Sequence, residues 1–220
     1  MSRITRFVSI VLLIFTFLPR AHAQMGGGNM GQGMGAMMML SGGQAYRTDN
    51  TMMTMDDAIL VAQKYMMSRN QMKLALDEIE EWEYNFYVVV KETSPSNYKA
   101  YQLIIDKWTG AIMPEPGPNM LWNWKYCGTM GMGGMCGNQG SVNVNASQAT
   151  VAANDFLKQR FGRFRGMVVS GTPDLFYGYY TFDVKEVKSG IKSGMLSVNV
   201  TTGQVWYHTW HGRFIRGREL

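Results

Sequence analysis

The sequence predicts an α+β protein of two tandem units, each a helix packed on a small antiparallel sheet. Three observations carry the prediction. Two segments open with the same amphipathic spacing. Both continue into aromatic-rich strands ending in Val-Lys-Glu, and both reach a Thr-Gly hairpin turn. Equivalent landmarks lie 91 residues apart at the helices (Asp57 to Gln148), 94 at Val-Lys-Glu (Lys91 to Lys185) and 93 at the turn glycines (Gly110 to Gly203). Near-constant offsets at three points indicate an internal duplication.

The chain opens with a segment of another kind. Arg3 and Arg6 precede an apolar run from Phe7 to Leu18, and Ala21-His22-Ala23 forms a small-x-small cleavage site. Residues 1–23 therefore predict a secretory signal peptide, the run being too short for a membrane span. No later stretch is apolar enough to span a bilayer, so no transmembrane segment is expected after cleavage. The chain is expected to be exported to a periplasm, a cell envelope or the extracellular space. Cleavage removes Arg3, Arg6 and Arg20 but no acid, lowering the formal charge from +5 to +2. So weak a bias argues against nucleic acid as a partner.

Residues 24–50 begin as an uncharged tract of glycine, methionine, asparagine and glutamine, which predicts disorder. The first unit spans 51–118. Ala58, Val61, Ala62, Tyr65 and Met66 make one helical face, with Thr54 as N-cap and Asp56 and Asp57 in the first turn. The strand segments 81–93 and 98–113 follow, the latter turning at Lys107-Trp108-Thr109-Gly110. Residues 119–143 read as a Gly/Met-rich linker. The second unit spans 144–212. Ala149, Ala152, Ala153, Phe156 and Leu157 repeat the helical face, and Asn145 with Gln148 suggests a capping box. Its strand segments are 175–187 and 194–207. Residues 213–220 read as a tail.

These landmarks resemble the PepSY domain. That family has a helix opening with an acid and Ala-x-x-x-Ala, as in Asp57-Ala58 to Ala62. Its hairpin reads Val-Asp-x-x-Thr-Gly-x-Val, matched by Ile105-Asp106-Lys107-Trp108-Thr109-Gly110-Ala111-Ile112. The second unit carries Asn199 in place of the acid. The resemblance implies a non-catalytic binding module that engages a protein partner in trans, a peptidase or another envelope protein.

The residues themselves suggest little catalysis. HExxH and GxSxG are absent. His208 and His211 have no acid or cysteine beside them and read as polar residues of an aromatic strand or tail. Asp77, Glu78, Glu80, Glu81 and Glu83 read as a solvated face. Cys127 and Cys136, the only cysteines, flank a stretch of glycine, threonine and methionine. In an exported chain they predict a disulfide, and closing ten residues would contribute about 2.5–3 kcal/mol. In that reading no cofactor is expected. The alternative is a soft-metal site, in which Cys127, Met130, Met132, Met135 and Cys136 bind Cu(I) or Ag(I) through sulfur. Trp122, Trp124, Trp206 and Trp210 are candidates for gripping a partner; otherwise they fill the junction between the units.

Overall fold

The computed structural model describes residues 51–93, 96, 98–128 and 140–220. The expected signal peptide, segment 24–50, and Met130, Met132, Met135 and Cys136 lie outside these residues.

Helix α1 (Met55–Ser68) starts at a capping box. Thr54 Oγ1 accepts the Asp57 N–H at 3.2 Å, and the Asp57 carboxylate accepts the Thr54 N–H at 3.0 Å. All five predicted face residues, Ala58 to Met66, are buried. Strands β1 (Leu74–Trp82), β2 (Asn85–Glu92), β3 (Lys99–Asp106) and β4 (Ile112–Pro114) follow, then the single turn α2 (Pro118–Leu121). Helix α3 (Ala146–Arg165) repeats the capping box with Asn145 and Gln148, both bonds 2.9 Å. Then come β5 (Met167–Phe176), β6 (Tyr179–Glu186), β7 (Lys192–Asn199), β8 (Val205–Tyr207) and β9 (Phe214–Glu219).

The predicted hairpin turns form. Asp106 Oδ1 accepts the N–H groups of Trp108 and Thr109 at 3.0 and 2.8 Å. Asn199 Oδ1 accepts those of Thr201 and Thr202, both at 2.9 Å. Asparagine replaces the acid without loss because each turn needs only one carbonyl-type acceptor. Gly110 and Gly203 follow at φ 65° and 71°, where a glycine avoids strain.

The strands make a mixed α+β fold with one sheet, where two small sheets are expected. The order is β8-β7-β6-β5-β3-β2-β1-β9, with β4 paired to β3 off this path. Every pairing is antiparallel except β3 with β5, which meet in parallel at Lys99 and Phe176 alone. Helix α1 covers Phe86, Val88, Val90, Leu103 and Ile105, while α3 covers Tyr180, Phe182, Val184, Leu196 and Val198. The alternate residues Tyr87, Val89, Tyr179 and Met195 point away from the helices and meet in one cluster with Trp82 and Phe176. This second face is concave: Glu80 of β1 pairs with Lys192 of β7, although four strands separate them in the sheet.

Two features sequence reasoning treated as flexible are structural. The stretch after β4 is not a plain linker. It completes the second edge of β3, where β4 ends and β5 has not begun. Glu115 N–H donates to Gln102 O at 3.0 Å, the Asn119 side chain pairs with both backbone groups of Gln102, and Asn123 Nδ2 donates to Ala100 O at 2.7 Å. Buried backbone groups need partners, and asparagine amides supply them where no strand fits. The expected tail, likewise, is β9, paired with β1 from Glu78 to Trp82.

The acidic run is the third correction. Asp77, Glu80 and Glu81 are buried. Each carboxylate meets cations from elsewhere: Asp77 with Lys91 and Lys99, Glu80 with Lys192, and Glu81 with Lys107 and Arg216. Buried carboxylates require such partners, and none of these lies close in sequence.

Candidate functional site

The concave face holds a buried polar network. Its centre is Glu115, placed by the turn after β4 and fully buried. His208 and His211 follow β8 and converge on it. His211 Nε2 lies 2.9 Å from Glu115 Oε1. His208 Nδ1 lies 3.0 Å from the same oxygen but is not aligned for a hydrogen bond. Trp210 Nε1 donates to that oxygen at 3.2 Å. Glu115 Oε2 has no hydrogen-bond partner.

Further groups hold the outer ring nitrogens. His211 Nδ1 is 2.9 Å from Asn85 Oδ1, and His208 Nε2 is 3.0 Å from Ser197 Oγ. Ser197 contacts Thr181 at 2.9 Å, and Gln102 Nε2 donates to Thr181 at 3.1 Å and to Tyr87 at 2.6 Å. Gln102 Oε1 accepts the Tyr179 hydroxyl at 2.8 Å. Burial alone pushes the Glu115 carboxyl up, but the nearness of His208 and His211 outweighs it and holds it down to about 2. Burial depresses His211, and the nearby Glu115 offsets this only in part. Glu115, His208 and His211 are the described side chains whose ligand atoms come together closely enough for a metal, all within 4.8 Å of one another. Local sequence reading missed the cluster because its acid lies more than 90 positions from its histidines. A lone acid between prolines, in MPEPGP, was the available signal.

The aromatic candidates do not form an exposed patch. Trp210 is buried, and Trp122, Trp124 and Trp206 are half-buried. Trp122 and Trp206 meet edge-on at 6.1 Å. Trp122, Trp206 and Trp210 fill the concave face, whereas Trp124 packs against the core under α3. Cys127 is buried, and no described cysteine is free; its expected partner lies outside the described residues.

A second feature is open to solvent. A groove of about 660 Å³ runs between α1 and the start of β1, lined by Ile59, Met66, Met67, Met72, Leu74 and Leu76 among others. No charged side chain lines it. One wall is a strand edge. β9 pairs with β1 only from Glu78 onward, and Leu220 N–H donates to Asp77 O at 2.8 Å. Among the described residues, no strand pairs with Leu74–Leu76 on that side.

Neither a protein-family model nor a curated protein sequence matches the chain. Among solved structures it is similar to the Bacillus megaterium YpeB C-terminal domain. The identity is 14%, the TM-score 0.26, and the match covers 71% of this chain and 62% of that one. Similarity at that level carries no argument about fold or function.

Proposed function

We propose that this chain is an exported, non-catalytic binding module of PepSY type that takes an uncharged, extended segment of a protein partner in trans. The observation that carries this reading is the unpaired edge of Leu74–Leu76 beside the uncharged, methionine-lined groove. An added strand satisfies main-chain groups along such an edge while alternate side chains enter the groove. Methionines adapt to varied apolar shapes. The uncharged side chains lining the groove disfavour acidic or basic segments, since a charged side chain entering among them would lose water without gaining a partner. A peptidase is the partner class the PepSY resemblance implies.

The test uses a blocked, uncharged peptide alternating leucine with serine, titrated calorimetrically into the full chain. Saturable binding is expected, lost when the amides facing β1 are N-methylated. No binding, or equal binding of the methylated peptide, overturns the reading.

A further inference from the structure

We propose that Glu115, His208 and His211 form a buried site for one divalent first-row transition-metal ion of the zinc class. Asn85 Nδ2 donates to the Trp210 carbonyl at 3.0 Å. A carbonyl only accepts, so the orientation of this amide is set and Asn85 Oδ1 must face His211. His211 Nδ1 therefore carries a hydrogen. In the neutral ring, His211 Nε2 is then a bare lone pair, 2.9 Å from a carboxylate oxygen. Two acceptors then face each other, and either a proton on Nε2 or a metal ion must lie between them.

The surroundings suit a metal ion in that role. Zinc bonds of about 2.0–2.1 Å in tetrahedral array separate ligand atoms by about 3.3 Å. The two nitrogens lie 3.0 and 2.9 Å from Glu115 Oε1, close to that spacing. His208 Nδ1 and Glu115 Oε2, both buried, have no hydrogen-bond partner and are free to ligate. The outer nitrogen of each ring is held by Asn85 or Ser197, and the carboxylate by Trp210, as supporting groups orient ligands at metal sites. His208 and His211 also line a cavity of about 280 Å³ with Thr209, Ser193 and Arg160, which gives access and room for a water ligand. Two imidazoles and one carboxylate favour zinc-like ions over Cu(I), which prefers sulfur, and over calcium, which prefers oxygen. The ion would tie the turn after β4 to the segment after β8.

The experiment uses full-length, tag-free chain stripped of metal, titrated with Zn(II) and Co(II) against a chromophoric chelator. One equivalent is expected, with visible Co(II) bands of a low-coordinate site and a raised melting temperature. Glu115→Gln keeps an acceptor for Trp210 but removes the anionic ligand, and is expected to weaken binding at least 10-fold. Ser197→Ala leaves all three ligands in place and is expected to weaken it about 10-fold. Failure of the folded wild-type chain to take up an equivalent overturns the proposal. So does undiminished binding with an unchanged Co(II) spectrum in a folded Glu115→Gln variant.

Discussion

Lys192 on β7 pairs with Glu80 on β1 inside the concave face, the two side chains being 8% and 3% exposed. Trp82 Nε1 donates to the other Glu80 oxygen at 3.0 Å, and Asp183 lies 2.5 Å from Lys192. The pair holds the two ends of the curled sheet in register. Lys192→Met leaves a buried carboxylate without its cation. It is expected to cost about 3–5 kcal/mol by urea denaturation, and adding Glu80→Leu is expected to recover most of the loss. A single variant as stable as wild type would show that the pair does not organise this face.

Glu78 predicts a pH dependence. Burial, then the neighbouring Glu80 charge, raises its carboxyl from 4.5 to about 8. The folded state therefore holds this proton more tightly than the unfolded chain. Its contribution is full below about pH 4.5 and is lost as pH rises towards 8. Glu78→Gln is expected to stabilise the chain by about 2 kcal/mol at pH 9, allowing for solvent screening, and to have little effect at pH 4. Melting curves at the two pH values measure the difference.

Gly178 joins β5 to β6 at φ 114°, and a Cβ there would lie 2.0 Å from the Trp122 carbonyl oxygen. Backbone cannot yield as a flexible side chain does. Gly178→Ala is expected to cost more than about 2 kcal/mol, read from the shift in the denaturation midpoint.

Asn199 tests the hairpin chemistry. Asn199→Asp retains the acceptor for Thr201 and Thr202 and is expected to change stability by less than about 0.5 kcal/mol. Asn199→Ala removes it and is expected to cost about 1–2 kcal/mol. Equal effects of both changes would remove the turn's acceptor from the account.

The proposed Cys127–Cys136 disulfide makes a separate prediction. The double serine variant is expected to lose about 2.5–3 kcal/mol in non-reducing buffer. Intact mass after alkylation of the wild-type chain is expected to show no added label.

Much of the fold was legible locally. Both helix N-caps, the buried face of α1 and both Thr-Gly turns follow from residues within a few positions of one another, and all appear where their spacing places them; on α3, Ala149, Ala153 and Leu157 are buried and Ala152 and Phe156 half-buried. β1 and β5 were not legible. β1 carries the acids Asp77 to Glu81, and a strand whose buried acids are paired looks like a solvated surface until the cations are known. β9 was missed for a related reason: Phe214-Ile-Arg-Gly-Arg-Glu gains its strand character from the edge of β1, not from its own alternation.

The sequence by itself determined helix positions, turn chemistry and the α+β class, because capping, amphipathic spacing and glycine turns act over three or four residues. Only the tertiary structure decided that the strands join in one curled sheet. It alone brought Glu115 to His208 and His211, and Lys192 to Glu80. Those groups are separated by about a hundred residues, and a buried charge cannot be assigned its partner until the chain has folded back to supply it.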